Sequence, residues 1–434
     1  MATGIIPATC GSTARESGQR SARAARLVVA ALLVAQAALA LEIDPYLLDP
    51  LGGRTVPPLG AIQACSSVLA TLALAMALAP GRWSTALGAL AFLAGLAAML
   101  LSSPANAARF HALQLLLLGA ALVVWLLFLV RRARHERLVT RIGLAVLVLL
   151  FVELVLTFVA RSHAVGYTLA ARSWFSRHWQ EPANSLGYRD VEPTPVEAGR
   201  AHVIAVGDSF VAGVGIADPH ERFSDRLQTL LGAGYTVHNL GWCGADTREE
   251  YERLAAYPCE PAVVVLSYYL NDIAGAALAL DRTLPPFTPY RDLPPALRGL
   301  VQRSYALDYL YWSFPHDDLA RQGAFLASCY SQPEVVAQHQ ADVQRIVDWT
   351  RARDCRLIAV LFPDLTRIEK SAPRLAPVRE VFARNQVPMV ELSELVKGAP
   401  TAELVVNRND SHPSARVHAL VAEALRAEVE RLAR

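Results

Sequence analysis

A serine stands at the end of one apolar run in the second half of the chain. Residues 202–215 read HVIAVGDSFVAGVG, which predicts a buried strand that leads directly into Gly207, Asp208 and Ser209. A serine at the first turn of a helix has a backbone N–H that can bind a developing oxyanion. Serine alone is a weak nucleophile, so its use requires a base, a group that orients the base and further oxyanion donors.

Other interpretations of this glycine-rich stretch fail on composition. A phosphate-binding loop needs a Lys after its last glycine, and none follows here. A dinucleotide fingerprint needs a third glycine, but Gly213 and Gly215 are followed by Ile, Ala and Asp. The nucleophile elbow of α/β-hydrolases needs glycine where Val211 stands.

The required partners follow later predicted strands. Gly244, in NLGWCGADT, is a candidate backbone donor, and Asn271, in YYLNDI, is a candidate side-chain donor. Asp410 and His412 stand two apart in a predicted loop, before a helix whose first position is Pro413. This spacing lets the carboxylate reach Nδ1 of the imidazole and leaves Nε2 for the serine. The structural alternatives are a helix cap for the serine and turn roles for the asparagine and the glycine.

Strands and helices alternate from residue 201 onward, which predicts an α/β domain with a parallel sheet over 201–434. In such a sheet, ligands bind outside the carboxyl ends of the strands, where the serine stands. The strands are predicted near 202–206, 235–240, 263–268, 356–362 and 388–392, and the helices near 221–232, 246–256, 336–353, 375–385 and 414–433. Residues 273–335, rich in Pro and aromatic residues, interrupt the alternation and predict a cap-like insertion over the substrate.

The four segments together resemble the SGNH (GDSL-type) hydrolase family. GDSF, N-x-x-x-x-G, L-N-D and D-x-H-P occur in the family's order from Ser209 to His412. The resemblance implies a flavodoxin-like, three-layer domain with Ser209, His412 and Asp410 as catalytic residues. It also implies an oxyanion hole of Ser209, Gly244 and Asn271. NSLGYRD, residues 184–190, is similar to a segment that precedes the first block in membrane-anchored bacterial members.

Two positions depart from the family's common pattern. Many members have D-x-x-H, but that position is Asn409 here, so Asp410 must be the orienting acid, as in D-x-H members. Tyr269 stands where the third block usually has glycine, which is expected to narrow the pocket without removing the Asn271 donor.

The first third of the chain has the composition of a membrane region. Residues 1–23 are expected to form a cytoplasmic tail, and 24–160 an all-α region of about five transmembrane helices, because a span needs roughly 20 apolar residues. The nearly uncharged runs lie at about 25–42, 59–80, 84–102, 110–130 and 142–160. The first is the weakest, and a cleavable signal peptide is its alternative. Residues 161–200 are expected to form an ordered extracytoplasmic linker.

Arginines near the span ends predict the orientation, because basic residues resist translocation. Ten lie on one set of loops and two, Arg54 and Arg109, on the other. The ten are Arg15, Arg20, Arg23, Arg26, Arg82, Arg131, Arg132, Arg134, Arg137 and Arg141. With five crossings, the N-terminus is cytoplasmic and the catalytic domain lies outside the cytoplasm.

Glu153 is an acid within the fifth apolar run. Such residues usually face the interior of a helix bundle or a wet cavity, which is compatible with transport. The alternative is a glutamic acid hydrogen-bonded to a neighbouring span, through Gln63 or Gln114.

Charge and cysteine spacing exclude other classes of function. A net charge of +2 without a basic face does not predict nucleic-acid binding. The six cysteines form no C-x-x-C spacing, so no metal site and no cofactor are expected. Cys259 and Cys355 precede strands that are neighbours in the flavodoxin-like order the resemblance implies, so a disulfide between them is expected if the domain is extracytoplasmic.

These observations predict a bacterial inner-membrane, multi-pass serine esterase that acts on O-acyl esters, with O-acetyl esters expected. Its substrate would be an O-acylated small molecule or a cell-envelope glycan. The alternative is a glycan O-acyltransferase with the same triad, working beside a membrane acyl-transfer partner. A catalytically silent glycan-binding component is the third hypothesis, and the complete Ser, Gly, Asn and His set argues against it.

Overall fold

The computed structural model describes residues 10–42, 59–78, 81–101, 108–130, 136–158, 162–164, 166–179, 184–193 and 200–432. The described chain divides into two compact units. One contains the N-terminal helices together with residues 292–313, and the other contains the remainder from residue 162 onward.

The second unit is built on a five-stranded parallel sheet in the order β2-β1-β3-β4-β5. The strands are β1 Ala201–Gly207, β2 Tyr235–Gly241, β3 Val263–Tyr269, β4 Arg356–Phe362 and β5 Met389–Glu391. This confirms the predicted parallel sheet and its flavodoxin-like order. The order reverses beside β1, and ligands of open α/β sheets bind at such a reversal, outside the carboxyl ends of the strands.

Helices cover both faces of the sheet, as expected for a three-layer domain. The helices of this unit after residue 200 are α7 Ser209–Ala212, α8 Phe223–Leu231, α9 Thr247–Ala256, α10 Ala274–Ala279, α13 Asp317–Cys329, α14 Pro333–Ala352, α15 Ile368–Ser371, α16 Ala376–Arg384, α17 Leu392–Leu395, α18 Thr401–Leu404 and α19 Ala415–Leu432. Apolar residues that alternate along β1 divide between two cores: Ile204 and Val206 belong to one, Val203 and Ala205 to the other. The first core is closed by α9, α14 and α16, and the second by α8 and α19.

Two glycines allow α7 to start immediately beyond the sheet. A Cβ at Gly207, the last residue of β1, would lie 2.8 Å from the carbonyl oxygen of Ser267. A Cβ at Gly241, the last residue of β2, would lie 2.0 Å from the backbone nitrogen of Ala212. The backbone of α7 therefore packs directly against β2, and no larger residue fits at either strand end.

The predicted linker contains a helix that the sequence pattern did not indicate. Residues 169–178 form α6, Leu169–His178, whose first turn is capped by Thr168. Thr168 Oγ1 accepts a hydrogen bond from the Ala171 N–H at 3.0 Å. The linker residues 180–183 and 194–199 lie outside the described residues.

The predicted insertion is largely helical and is divided between the two units. Residues 292–313 group with the N-terminal helices and form α11 Pro295–Val301 and α12 Tyr305–Trp312. The flanking helices α10 and α13 stay with the sheet and pack together through Ile273, Ala277 and Cys329. The role of residues 273–335 as a cap stays a prediction.

The first unit contains five helices where the five apolar runs were predicted. They are α1 Cys10–Glu42, α2 Leu59–Leu78, α3 Gly81–Leu101, α4 Ala108–Val130 and α5 Glu136–Phe158. Val29 and Leu33 of α1 are buried in one apolar cluster with Leu69 of α2 and Trp125 of α4. Gln36 of α1 donates from Nε2 to the Gly95 carbonyl of α3 at 2.9 Å, which satisfies a polar group in an apolar helix.

Membrane-spanning capacity is clear for fewer helices than predicted. Among the described residues, only Arg141–Phe158 is both long and apolar enough to cross a bilayer. Shorter apolar stretches occur at Cys65–Met76, Ala86–Ala97 and Ala112–Leu126. The helical character of residues 24–160 is therefore confirmed. The prediction that five of its helices cross the membrane stays a prediction. Several arginines behind the topology prediction, among them Arg54 and Arg131, lie outside the described residues.

Glu153 caps a helix of the insertion. Its Oε2 accepts hydrogen bonds from Ser304 Oγ at 2.7 Å and from the Ala306 N–H at 3.0 Å, and its Oε1 accepts from the Tyr305 N–H at 2.7 Å. A carboxylate at a helix N-terminus satisfies N–H groups that the helix itself leaves unpaired. This contact, between α5 and α12, accounts for the acid without a role in transport. The side chain of Gln63, one of the partners considered for it, lies outside the described residues.

The predicted disulfide between Cys259 and Cys355 is absent, so that prediction is wrong. The Cys355 thiol donates to the Thr350 carbonyl at 3.4 Å, at the end of α14. The Cys259 sulfur instead lies close to ring nitrogens of His202 and His238, on β1 and β2. The two sulfurs therefore face different elements, although β3 and β4 are neighbours.

Candidate active site

Ser209 is the first residue of α7, directly beyond the carboxyl end of β1. Asp208 caps this helix, because its Oδ1 accepts a hydrogen bond from the Phe210 N–H at 2.8 Å. Gly213 ends the helix in the left-handed conformation at φ +74°, where a glycine is favoured. The serine hydroxyl thus lies at the edge of the sheet, because only Asp208 separates the end of β1 from the start of α7.

Asp410 and His412 lie on a short hairpin rather than in an irregular loop. The hairpin pairs β6 Val405–Asn407 with β7 Asp410–Pro413, and Asn407 faces Asp410 across the turn. Residues two apart on a strand point to the same side, so the D-x-H spacing aligns the carboxylate with the imidazole. Pro413 ends β7 and is not the first helical residue, because α19 begins at Ala415.

The turn of this hairpin contains Asn409, which stands where the D-x-x-H pattern has its acid. Asn409 is exposed in the two-residue turn, and its carbonyl accepts the Ala164 N–H at 3.0 Å. Its backbone N–H donates to Asn407 Oδ1 at 2.9 Å. Its place in the turn, outside β7, excludes it from the face that carries Asp410 and His412.

A continuous line of hydrogen bonds joins the acid, the imidazole and the serine. His412 Nδ1 lies 2.5 Å from Asp410 Oδ1, and His412 Nε2 lies 2.8 Å from Ser209 Oγ. Asp410 is completely buried, whereas His412 is 13% exposed at its side chain. Burial raises the pKa of Asp410, but the hydrogen bonds and the charge of His412 outweigh it, so the pKa of Asp410 lies below the ordinary value. The carboxylate form that holds the imidazole is therefore favoured.

Asn271 reaches the same centre through Asp208. Burial raises the pKa of Asp208 above its ordinary value. The Phe210 N–H, the charge of His412 and hydrogen bonds from Asn271 and Ser209 lower this pKa, but by less than burial raises it. Asn271 follows β3, the strand beside β1, so the parallel register brings its amide to the edge where Ser209 lies.

Gly244 lies in the turn after β2, on the other side of β1. It is exposed and has φ +79°, and a Cβ added at this position would meet no described atom within 4 Å. Glycine is therefore favoured here by backbone conformation and not by lack of space. The turn is tied to β1 by a hydrogen bond from the Trp242 N–H to the Gly207 carbonyl at 3.0 Å.

One aromatic ring contacts the imidazole, and a second stacks on the first. The Phe210 ring contacts His412 edge to face, with 5.4 Å between centroids, and stacks on Tyr269 at 4.2 Å. Tyr269, the residue that replaces the glycine of the family pattern, therefore packs against Phe210. Its effect on the width of the pocket stays a prediction.

Several supporting residues were not singled out from the sequence. Asn239 of β2 donates from Nδ2 to the Val211 carbonyl and to Ser224 Oγ, both at 2.8 Å, and so holds α7 from below. Its N–H donates to Asp190 Oδ2, also at 2.8 Å. Asn239 is the first residue of the motif NLGWCGADT, and Asp190 is the last residue of NSLGYRD. Membership of these motifs was the only sign in the sequence that the two residues support the site. The partners of each residue become visible only in the fold.

Buried acids lie close to Asp208. Burial and neighbouring acids, among them Asp208, raise the pKa of Glu250 and of Asp272 well above their ordinary values. Both side chains are completely buried. Burial therefore favours the neutral form of each of these carboxyl groups.

Comparison with known proteins identifies the domain. The profile of the GDSL-like Lipase/Acylhydrolase family matches residues 205–420. The chain contains a GDSL-like lipase/acylhydrolase domain. A domain of this family implies a hydrolase that acts on esters. No curated protein matches the sequence significantly.

Solved structures similar to this domain include three bacterial esterases. A putative arylesterase from Agrobacterium tumefaciens shares 17% identity, with 54% of this chain and 99% of the other covered and a TM-score of 0.34. A carbohydrate acetylesterase family member from Sinorhizobium meliloti shares 14%, covering 54% and 99%, with a TM-score of 0.33. The psychrotrophic esterase EstA from Pseudoalteromonas sp. shares 15%, covering 53% and 97%, with a TM-score of 0.32.

The hairpin geometry predicts which of the adjacent residues orients the imidazole. Asp410→Asn should lower kcat for p-nitrophenyl acetate by roughly 10³–10⁴-fold, because the imidazole loses its acceptor and its charge partner. Asn409→Ala, the matched control, should leave kcat close to that of the wild type. Circular dichroism and thermal melting of both variants check that the fold is kept. A large loss in Asn409→Ala with a nearly silent Asp410→Asn would reverse the assignment.

Proposed function

We propose that this protein is a membrane-anchored serine esterase that cleaves O-acyl esters through an acyl-enzyme. The observation that carries the proposal is the line from Asp410 through His412 to Ser209, with contacts of 2.5 and 2.8 Å. These distances lie within the range that proton transfer between nucleophile and base requires. The alternative of a catalytically silent binding component gives no reason for this alignment.

In the proposed first step, Ser209 Oγ attacks the ester carbonyl while His412 Nε2 removes the hydroxyl proton. The imidazole becomes a cation, which the Asp410 carboxylate stabilises and keeps in the orientation set by Nδ1. The same proton then passes to the departing alkoxide, and the alcohol leaves an acyl group bonded to Ser209. A water molecule repeats the sequence in reverse and releases the carboxylic acid.

The oxyanion of each tetrahedral intermediate requires N–H donors. We assign this role to the backbone N–H of Ser209, the N–H of Gly244 and the side-chain amide of Asn271. They come from the ends of β1, β2 and β3, three strands that are adjacent and parallel, so their donors converge at one edge of the sheet. Donors held in this way need little reorganisation when the negative charge develops.

We propose a small acyl group, acetyl in the first instance, on a small alcohol or a cell-envelope glycan. Phe210 supports this choice because its ring contacts His412 and is held in place by the Tyr269 ring stacked on it, so a bulky side chain is fixed beside the base. Transfer of the acyl group to a sugar hydroxyl would use the same acyl-enzyme and differ only in the acceptor.

We further propose that the N-terminal helices hold the protein in the inner membrane of a bacterium. Arg141–Phe158 supports a membrane span by length and composition, and α2, α3 and α4 have 20, 21 and 23 residues, close to what a bilayer requires. The uneven distribution of arginines supports a cytoplasmic N-terminus and an esterase domain on the extracytoplasmic side.

The covalent mechanism predicts how substitutions combine. Ser209→Ala and His412→Ala should each lower kcat for p-nitrophenyl acetate by several orders of magnitude, because each abolishes the same step. The double variant should be hardly worse than either single one. Multiplying losses in the double variant would mean that the two residues act independently. Assays of the wild type with and without a glycan acceptor distinguish free acetate from acetylated glycan and hence hydrolysis from transfer.

The aromatic stack predicts a preference for short acyl chains. Tyr269→Ala should raise the ratio of kcat/KM for p-nitrophenyl octanoate to that for the acetate by at least roughly tenfold, because it removes the ring that holds Phe210 in place and so lets Phe210 move away from His412. Tyr235→Ala serves as the control. Tyr235 is the first residue of β2, at the amino end of the sheet and away from Ser209, so its replacement should leave this ratio unchanged. A wild-type enzyme that already prefers the octanoate would contradict the proposal of a small acyl group.

The proposed topology predicts opposite locations for two reporter fusions. A reporter active only in the periplasm should be active after Arg434 and inactive after Arg134, because α5 lies between these points. A reporter active only in the cytoplasm should give the reverse pattern. Two fusions on the same side would show that α5 does not cross the membrane.

A further inference from the structure

Two histidines and a cysteine form a buried cluster at the amino end of the sheet. His202 lies near the start of β1, His238 lies on β2, and Cys259 lies in the turn before β3. His238 pairs in register with Ile204, two residues after His202, so both imidazoles lie on the same face of the sheet. The three residues are 2%, 0% and 6% exposed, respectively.

The potential ligand atoms of these side chains converge. The Nδ1 of His202 lies 2.8 Å from the Nε2 of His238, and the two rings are nearly parallel. One nitrogen from each ring and the Cys259 sulfur all lie within 4.8 Å of one another. A tetrahedral Zn²⁺ with ordinary bond lengths needs these atoms about 3.3–3.6 Å apart, so the two nitrogens must separate by about half an ångström and the sulfur must approach them by at most about an ångström.

A neighbouring hydroxyl orients one of the imidazoles. Tyr257 Oη lies 3.0 Å from His238 Nδ1. With Nδ1 engaged by the tyrosine, Nε2 is the nitrogen directed at the cluster. Metal-binding histidines in proteins are usually held in this way by a hydrogen bond to their second ring nitrogen.

A cavity borders the cluster on one side. It has a volume of about 350 Å³ and is lined by His202 and by Glu260 and Pro261, the two residues that follow Cys259. A Zn²⁺ ion and a water molecule as its fourth ligand would approach from this side. The site is distinct from the catalytic centre, because the length of β1 separates them: the strand from His202 to Gly207 alone spans about 17 Å at about 3.3 Å per residue, and Ser209 lies beyond its end.

We propose that His202, His238 and Cys259 bind a Zn²⁺ ion with a structural role. A set of two imidazoles and one thiolate binds Zn²⁺ in preference to Mg²⁺ or Ca²⁺, which favour oxygen ligands. The ion would join β1, β2 and the start of β3, the strands whose opposite ends carry Ser209, the Gly244 turn and Asn271. The absence of C-x-x-C spacing does not argue against it, because the three ligands come from three separate segments.

The test uses the full chain in detergent, purified without a polyhistidine tag, stripped with a chelator and titrated with Co²⁺. We expect one Co²⁺ per chain, an absorption band from charge transfer between thiolate and cobalt, and loss of this band on addition of Zn²⁺. Zn²⁺ should also raise the melting temperature, because an ion that binds the folded state stabilises it. At temperatures well below melting, ester hydrolysis should be equal with and without Zn²⁺.

Three variants make the test specific. Cys259→Ser should lose the charge-transfer band. Cys355→Ser, which alters a buried thiol before the neighbouring strand, should keep both the band and the Zn²⁺ affinity. Tyr257→Phe should keep the band but lower the affinity roughly 10–100-fold. Absence of the band in the wild type would overturn the proposal and show that the cluster is only a hydrogen-bonded His–His–Tyr chain, and this outcome does not depend on any variant folding. Equal affinity in Cys259→Ser and wild type would overturn it as well.

Discussion

The hydrogen bond between His412 Nε2 and Ser209 Oγ is the contact on which the arrangement of the second unit depends. It joins residues 203 positions apart, so it exists only if the first strand and the last hairpin meet at one edge of the sheet. The parallel order places β1 between β2 and β3, and the edge beyond its carboxyl end is therefore lined by turns from three strands. Gly207 and Gly241 then let α7 lie against the sheet with no side chain between them.

A buried polar network holds this edge together from the side of the linker. Arg189 donates to the Gly213 carbonyl at 3.0 Å and to the Ala217 carbonyl at 3.1 Å, which fixes the loop after α7. Arg222 is also buried, forms a salt bridge with Asp225 at 2.9 Å and donates to the Arg189 carbonyl. Guanidinium groups have several donors in a fixed plane, so each can satisfy several carbonyls in a space from which water is excluded.

This network explains why the NSLGYRD segment accompanies the first catalytic block. Asn184 Oδ1 accepts the N–H groups of Leu186 and Tyr188, which folds the segment back on itself, and Asp190 accepts the N–H of Asn239 in the middle of the site.

In the first unit, the Glu153 carboxylate has a comparable function. An acid in an apolar helix is costly unless its oxygens are hydrogen-bonded, and the start of α12 provides three donors. Because Ser304 is more than a hundred residues away in sequence, residues 292–313 are attached to α5 by this bond. Hydrogen bonds to Glu153 are therefore among the contacts that link this part of the insertion to the first unit.

The sequence alone determined the features that depend on local pattern. Alternation of strands and helices predicted the five strands of the sheet to within one residue at every end, because apolar period and turn residues act over short distances. The four motifs identified Ser209, Gly244, Asn271, Asp410 and His412 as candidates, because each stands immediately after a predicted strand or before a helix. The apolar runs likewise predicted five helices before residue 160.

Only the tertiary structure decided which partners the candidate residues meet. The sequence already indicated Asp410 rather than Asn409, and the fold supplies the reason: β7 places residues 410 and 412 on one face, a relation that a predicted loop does not contain. It separated Cys259 from Cys355 by turning the first toward two histidines, and it paired Glu153 with a helix of the insertion. Each of these outcomes depends on contacts between segments far apart in the chain, whose energies are set by burial and geometry rather than by local sequence.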